Sequence, residues 1–332
     1  LTRKQREGYF CTFTIPVEWW SGTDTIQTER TRAQRRAWVR SYSKAQWRLL
    51  KKSGQAWRVG RFIALIGVAY PRMDDVVPSR AAETVKPIID GGTDVKLWED
   101  DDSKHRCSTI YFQMPEPAPE NHYRLTVMII PVPDRNPMFQ IAGGLGAEMA
   151  KLWYRTGSLP DGWGGYSVCF CIPHRIWITS NLTDSDIKAR QHGARKARTW
   201  GRGDSFGVRT QVEKALIGYA AQQWSFQSWW RLNRPFIVLA GVGYPCGVDS
   251  ADPDNCAESV NAVMKAGVKA GAWKHTGSSL CKAVGFFRLP APAMNGTHDI
   301  QLLVFPVPEG FQLAAAVAQA AGCGWGAPPA EE

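Results

Sequence analysis

The chain has 332 residues, of which 44% are hydrophobic, and a formal net charge of +10. This length is sufficient for two domains of ordinary size, each with its own core. The chain lacks the roughly eighteen consecutive apolar residues of a membrane span, and its basic start lacks an apolar signal core. We therefore expect a cytoplasmic protein with no membrane partner.

The eight cysteines include no Cys-x-x-Cys pair, which argues against a zinc site. The positive charge favours an anionic partner such as nucleic acid.

The sequence contains one long pattern twice. Residues 62–71 (FIALIGVAYP) return as residues 236–245 (FIVLAGVGYP), and residues 107–133 return as residues 281–308. This unit is far longer than the roughly 20–50 residues of a solenoid repeat. It predicts two copies of one domain fused head to tail, as a pseudo-dimer within one chain. We place copy one at 1–155, a linker at 156–165, copy two at 166–322 and a loose tail at 323–332.

Each copy predicts a mixture of strands and helices in the same order. In copy one we expect a strand at 9–17, a helix at 30–53, a buried strand at 62–70, a helix at 81–95, a hairpin of strands at 108–114 and 123–131, and a helix at 139–152. The run at 62–70 is apolar throughout, as in a strand buried on both faces. The fold class is therefore α+β, with two β-α-β-α-β-β(-α) domains, each a small mixed sheet with helices.

A basic segment follows the first strand of copy one. From Arg30 to Met73 there is no acidic residue, and charges of one sign repel one another. We interpret this segment as a surface that contacts phosphates; a solvated surface helix is the alternative. The candidate DNA-binding residues are Arg32, Arg36, Arg40, Lys44 and Arg48 in copy one, and Arg195, Lys196 and Arg198 in copy two.

Clustered carboxylates follow the predicted elements at two places. Copy two has Asp252-Pro-Asp254-Asn255 after its buried strand, and copy one has Trp98-Glu-Asp-Asp-Asp102 after its second helix. Oxygen ligands suit hard cations, so carboxylates beside a basic surface suit Mg²⁺ and phosphodiester chemistry. Each motif alone is equally typical of a turn or a polar loop.

Together these pieces resemble the RusA family of Holliday-junction resolvases, which are small α+β endonucleases that act as dimers. The matching pieces are the Phe-Thr-Ile-Pro strand, the basic segment, the apolar strand ending in Tyr-Pro, the Asp-x-Asp-Asn loop, and a helix with a lysine that leads to a Trp-x-Asp-Asp ending. The resemblance covers nearly the full chain, once per copy. It implies branched DNA as the partner and an Mg²⁺ site, with Mn²⁺ as a substitute, formed by the Asp-x-Asp pair, the lysine and the later Asp pair.

The two copies align without gaps through this region at an offset of 175 residues, and the aligned site is divided between them. Lys86 falls on Asn261, and Asp100-Asp101 falls on His275-Thr276. Copy one therefore keeps the late half of the site and copy two the early half. The candidate catalytic residues are Lys86 and Asp101, and the candidate metal ligands are Asp74, Asp75, Asp100, Asp101, Asp252 and Asp254, with Asn255 beside them.

Three arrangements are open. Asp74 and Asp75 complete a site in copy one, or the two halves combine into one composite site, or the protein has lost nuclease activity and kept branched-DNA binding. In the active arrangements Mg²⁺ activates water, and Lys86 neutralises charge on the phosphate. The rival of a different class is a non-catalytic architectural DNA-binding protein, and a third class is a subunit recruited by protein partners through a Trp-rich surface.

Overall fold

The computed structural model describes residues 8–23, 28–72, 74–132, 144–145, 165–179, 182, 186, 205–247, 251–308 and 310–321, with the backbone alone at 205–208. These residues form an α+β fold with one mixed sheet of eight strands and five helices. None of the described helices has the length and apolar character needed to cross a membrane.

The first half of the fold contains β1 (Tyr9–Pro16), α1 (Glu29–Lys52), β2 (Phe62–Ala69), α2 (Ala82–Asp94), β3 (Arg106–Gln113) and β4 (His122–Pro131). The second half contains β5 (Tyr166–Pro173), α3 (Ser205–Trp224), β6 (Phe236–Gly243), α4 (Ala257–Ala270), β7 (Cys281–Arg288), β8 (Thr297–Pro306) and α5 (Leu313–Ala320). Matching 3₁₀ turns, Pro78–Ala81 and Pro253–Cys256, precede α2 and α4.

This order confirms the predicted β-α-β-α-β-β succession in both halves, with the final helix present in the second. Of the helix predicted at 139–152, the structure describes only residues 144 and 145, which are helical. The predicted tail lies outside the described residues, and so does the predicted linker apart from Gly165.

The sheet differs from the expectation of one small sheet per copy. It is continuous, in the order β1-β4-β2-β3-β7-β6-β8-β5, because β3 pairs antiparallel with β7. In that pair Ile110 lies opposite Gly285, its own counterpart at the offset of 175. The strand order is consequently the same from either edge. Pairing also covers the N–H and C=O groups that β3 and β7 would otherwise expose as edge strands.

Gly285 permits this close pairing. A Cβ atom at this position would lie 2.7 Å from Leu239 Cδ2 and 3.1 Å from Ile110 Cγ1. Contacts that short require the neighbouring side chains to move, and packed interiors resist such movement. A glycine opposite Ile110 therefore suits the position at which the two halves of the sheet meet.

Two apolar layers cover the sheet. Phe62, Ala64, Ile66 and Val68 of β2 point into the larger core, which they share with buried residues of α1, α2, α3 and α4. The alternate residues Ile63 and Leu65 point to the opposite face, where residues 316–318 of α5 pack. Both β2 and β6 are buried along their whole length, as their apolar runs predicted.

The helices on the larger face pack in equivalent pairs. Trp47 Nε1 of α1 donates to the carbonyl of Ile88 in α2 at 3.0 Å, and Trp224 Nε1 of α3 donates to the carbonyl of Val263 in α4 at 3.1 Å. Both tryptophans are fully buried. This repeated contact fixes α2 and α4, and so the 3₁₀ turns that precede them, above the two central strands.

Candidate functional site: a charged cluster between the two halves

The turn Pro253–Cys256 joins copy two to copy one. It follows β6 and packs against both β3 and β7. Because β3 is paired with β7, the turn lies over residues of copy one. It thereby forms a cluster with Lys86, Asp101, Arg106 and Tyr111 of copy one and Asp252, Asp254 and Asn255 of copy two, which we call the composite cluster.

Lys86 forms the first link between the copies. It lies on α2, and its Nζ donates to Asp252 Oδ2 and, at 2.9 Å, to Asn255 Oδ1. The Lys86 and Asp252 side chains are 15% and 16% exposed. The lysine of the late half-site is therefore bonded to the early half-site of the other copy.

Arg106, at the start of β3, forms the second link and is fully buried. Its Nη1 lies 3.0 Å from Asp254 Oδ1, and its Nε donates to the backbone carbonyl of Asp101 at 3.1 Å. Its Nη2 lies 3.5 Å from Asp101 Oδ2, an ion-pair distance without hydrogen-bond geometry. A buried guanidinium is tolerated when carboxylates compensate its charge, and here they come from both copies.

Burial and neighbouring charges shift the protonation of this cluster. Burial works to lower the pKa of Arg106, but Asp254, Asp252 and Asp101 raise that pKa above its ordinary value, so the guanidinium stays charged. Burial and then Asp254 raise the pKa of Tyr111 far above its usual range. Tyr111 is consequently a neutral phenol, which donates to Asp254 Oδ2 at 2.5 Å.

Two carboxyl groups of copy one are shifted toward the neutral form. Burial raises the pKa of Asp101 to about 7; Arg106 opposes the shift, and Asp252 and Asp90 add to it. Burial likewise raises the pKa of Asp90 on α2, against the lowering effect of Lys86. The negative charge that remains in this region is therefore close to the positive charge of Lys86 and Arg106.

The structure does not assemble the copy-one site that includes Asp75. Asp75 accepts hydrogen bonds from Ser279 N at 2.8 Å and Ser279 Oγ at 3.0 Å, so it is bonded to copy two and does not complete a site with Lys86. The pairing of β3 with β7 explains this correction, since it places the turn of copy two beside Lys86. Asp74 and Asp100 are exposed, and Asp100 Oδ1 accepts from the backbone amide of its neighbour Asp101 at 2.8 Å.

Four of the equivalent positions on the other side carry uncharged side chains. Ser79, Asn261, Cys281 and Phe286 are the counterparts of Asp254, Lys86, Arg106 and Tyr111 at the offset of 175, and we call them the mate cluster. Ser79 Oγ donates to Asn261 Oδ1 at 2.7 Å, and both residues are buried. Asn261 Nδ2 also donates to Thr23 Oγ1 at 3.4 Å, so hydrogen bonds between uncharged groups stand where the composite cluster has its ion pairs.

Part of the basic segment is compensated within the fold. Arg36 donates to Glu83 at 2.8 Å, Arg40 donates to both carboxylate oxygens of Asp94 at 2.8 and 3.0 Å, and Lys44 lies 3.5 Å from Asp94. The interpretation of these charges as uncompensated is therefore wrong at three positions, because α2 supplies carboxylates that are distant in sequence. Of the remaining candidates, Arg48 is exposed and Arg32 half-exposed, whereas Arg195, Lys196 and Arg198 lie outside the described residues.

Sequence reasoning missed Arg106, Tyr111 and Asp90. The strand register makes Arg106 equivalent to Cys281, because Arg106 lies opposite Phe62 in β2 and Cys281 opposite Phe236 in β6. Extending the offset of 175 into these strands, where the repeat had set Cys107 against Cys281, would have shown that Arg106 and Tyr111 have the apolar counterparts Cys281 and Phe286. Such a difference marks a position where one copy needs chemistry that the fold itself does not need.

The composite cluster does not fit the Mg²⁺ ion that the resemblance implies. Asp252 is bonded to Lys86, Asp254 is held by Arg106 and Tyr111, and Asp101 faces the same guanidinium. Within the described ranges, no three His, Cys, Asp or Glu side chains form a group that could hold a metal ion. The carboxylate oxygens therefore already face protein cations.

No family model, curated protein or solved structure matches this chain.

Proposed function

We propose that this protein binds branched DNA, in particular a four-way junction, as a RusA-like pseudo-dimer within one chain, and that it does not cleave it. The observation that carries this proposal is the internal neutralisation of the composite cluster. Its carboxylates face Lys86 and Arg106, at the place where the resemblance implies a metal ion.

Charge and symmetry support branched DNA as the partner. The net charge of +10 favours association with a polyanion. The equivalent strands of the two copies, β3 and β7, pair with Ile110 opposite its counterpart Gly285. A two-fold arrangement of the copies would match the two-fold arrangement of arms in a four-way junction.

The occupied carboxylates support binding without cleavage. Metal-assisted phosphodiester hydrolysis needs carboxylate oxygens that are available to a hard cation. Asp254 instead accepts from Tyr111 and pairs with the buried Arg106. Displacing that guanidinium would leave a charge buried without a partner, which costs about 3–5 kcal/mol of stability.

The first experiment compares a fluorescent four-way junction with a linear duplex of the same length by anisotropy. We expect the junction to bind at least about tenfold more tightly at moderate salt, where non-specific phosphate contacts weaken. Incubation with Mg²⁺ or Mn²⁺ should leave the junction intact. Equal affinity for the two DNAs would contradict recognition of the branch, and absence of DNA binding would favour a subunit recruited by protein partners.

A composite nuclease is the second candidate, favoured by the meeting of Lys86, Asp252 and Asp254 across the two copies. If the junction is nicked in Mg²⁺, this candidate replaces the first. Asp254→Asn should then abolish nicking while junction affinity holds, and Glu120→Gln, at an exposed side chain outside the candidate site, is the control. A nick that survives Asp254→Asn in the folded variant would exclude the composite site.

A further inference from the structure

The described sheet ends in β1 on one side and β5 on the other, and the backbone groups of these two edge strands have different partners. We propose that the β1 edge, together with the neighbouring side of α1, is the surface through which two copies of this chain associate. In that dimer the β1 strands of the two copies pair antiparallel, so the sheet continues from one chain into the other. This association is independent of DNA binding and is tested on the protein alone.

The outer edge of β5 is covered by two glutamine side chains. Cys171 N donates to Gln223 Oε1 at 3.1 Å, and Gln223 Nε2 donates to the Cys171 carbonyl at 3.0 Å. Gln227 bonds Cys169 in the same way, at 3.3 Å from its N and 2.8 Å from its carbonyl. Each amide thus bonds both backbone groups of one residue, as a residue of a neighbouring antiparallel strand would. A further strand could pair with β5 only by displacing both glutamines.

The same backbone positions of β1 lack this cover. The register of β1 against β4 matches that of β5 against β8, so Thr12 and Thr14 correspond to Cys169 and Cys171 and their N–H groups point outward. Within the part of the chain that the structure describes, no side chain accepts from either N–H group. An edge of this kind can pair with the backbone of another strand.

A residue of α1 accounts for the difference between the two edges. At the offset of 177 that aligns Trp47 with Trp224, Leu50 takes the place of Gln227. A leucine has no amide that could bond the strand. Gln46 is retained as the counterpart of the other glutamine, but it makes no hydrogen bond to the described residues of β1. The pair of amides that covers β5 is therefore absent from β1 as described.

The side of α1 beside this edge is uncharged and largely apolar. Its residues Trp38, Tyr42, Gln46 and Leu49 recur at i, i+4, i+8 and i+11, and so lie on one side of the helix. Tyr42 stacks on Trp38 at 5.3 Å between ring centroids and meets Phe13 of β1 edge to face at 6.3 Å. Leu49 is 60% exposed. Stable interfaces bury roughly 1,200–2,000 Å² in total, and this side of the helix adds apolar area to that of the strand.

Charge and symmetry favour a second copy as the occupant of this surface. The strand Tyr9–Pro16 contains no charged residue, whereas the whole chain carries a net charge of +10. Two copies of a basic chain repel one another, so a neutral surface is where they can approach most closely. A two-fold axis would pair this surface with itself, and the covered β5 edge would prevent further strands from adding. The association is therefore expected to close at a dimer.

Sedimentation velocity of the full chain over a range of concentrations, without DNA, tests this association. We expect a dimer whose population rises with concentration. Thr12→Pro removes the outward N–H at an edge position that tolerates proline, and Leu49→Lys places two like charges at the interface. Because each change is present twice in the dimer, each should raise the dissociation constant about tenfold or more. Phe226→Lys, at the exposed counterpart of Leu49 in the second half, is the matched control and should leave the dimer unchanged.

Two results would overturn the proposal. A dimer that is unchanged in both variants would show that the copies meet at another surface; if Thr12→Pro does not fold, Leu49→Lys alone decides. A monomer at every concentration measured would show that the edge does not pair with a second copy. Hydrogen exchange of the Thr12 and Thr14 amides then identifies what replaces the proposal. Slow exchange would show that the chain covers its own edge, and rapid exchange would leave the edge to a peptide of another protein.

Discussion

The composite cluster and the mate cluster occupy equivalent positions of one sheet and have opposite chemistry. The composite cluster places the buried Arg106 against Asp254 at 3.0 Å, whereas the mate cluster has Cys281 and Ser79 there. Tyr111, which donates to Asp254, is likewise replaced by Phe286. Because the neutral set is fully packed, the backbone does not require these charges.

Arg106, Asp254 and Tyr111 are all replaced together at the equivalent positions of the mate cluster. Retaining Arg106 without Asp254, or the reverse, would bury an unpaired charge, and that is far more costly than retaining or replacing both. The sequence repeat makes this visible, because the composite cluster and the mate cluster occupy equivalent positions and each takes residues from both halves of the chain.

The largest effect is expected from breaking the buried ion pair. Arg106→Cys introduces the residue of the mate cluster and should lower the free energy of unfolding by about 3–5 kcal/mol, because Asp254 is left buried without its cation. The triple variant Arg106→Cys, Asp254→Ser, Tyr111→Phe reproduces the neutral set and should recover at least half of that loss. Urea denaturation of the variants measures both quantities.

Additivity provides the criterion for this first prediction. The loss in the triple variant should be smaller than the sum of the single losses, as expected for residues in one network. If the losses are additive, Arg106 and Asp254 act independently and the charged residues are not a set.

The second prediction concerns a contact that the two copies share. Arg36 pairs with Glu83, and Arg209 pairs with Glu258, the counterpart of Glu83 at the offset of 175. Burial raises the pKa of Glu258 to about 7; Arg209 and Arg32 oppose the shift and Glu83 adds to it. Since the folded protein then binds a proton that the unfolded chain has released, stability should fall as pH rises from about 4.5 to 7, by at most about 1.4 kcal/mol per pH unit.

Glu258→Gln should make this dependence less steep, because the amide does not titrate. Asp101, whose pKa burial also raises to about 7, supplies the slope that remains. Glu120→Gln, at an exposed side chain, is the matched control, and we expect it to leave the slope unchanged. Urea midpoints measured between pH 4.5 and 7.5 test both variants. A slope in Glu258→Gln as steep as that of the natural protein would assign the whole pH dependence to other buried carboxyl groups.

Much of the fold follows from local patterns in the sequence. The apolar runs at 62–70 and 236–244 predicted the buried strands, and the repeat predicted that both copies follow one order of elements. The partner of β3 was not predictable, since an apolar strand pattern does not specify which strand lies beside it. The composite cluster depends on that pairing, so sequence reasoning identified Lys86, Asp101, Asp252 and Asp254 but left their arrangement open.

The third prediction tests the junction of the two halves. Gly285→Ala would place a methyl group 2.7 Å from Leu239 Cδ2 and 3.1 Å from Ile110 Cγ1. Overpacking of this kind should cost about 1–3 kcal/mol of unfolding free energy. Gly60→Ala is the matched control, because an added Cβ there meets no atom within 4 Å. Equal stability of the two variants would show that the pair of β3 and β7 accommodates the added methyl group without a measurable loss of stability.

The smallest effect is expected at a single surface charge. Arg48 on α1 is exposed, whereas Arg40 on the same helix is held by Asp94. If copy one provides the DNA-binding side, Arg48→Ala should weaken junction binding a few-fold and reduce the slope of log affinity against log salt by about 0.9, the contribution of one phosphate contact. Arg40→Ala should change that slope less, because its carboxylate partner already neutralises it. Anisotropy titrations over a range of salt concentrations distinguish the two, and identical slopes would indicate that pairing with Asp94 does not keep Arg40 from contacting phosphate.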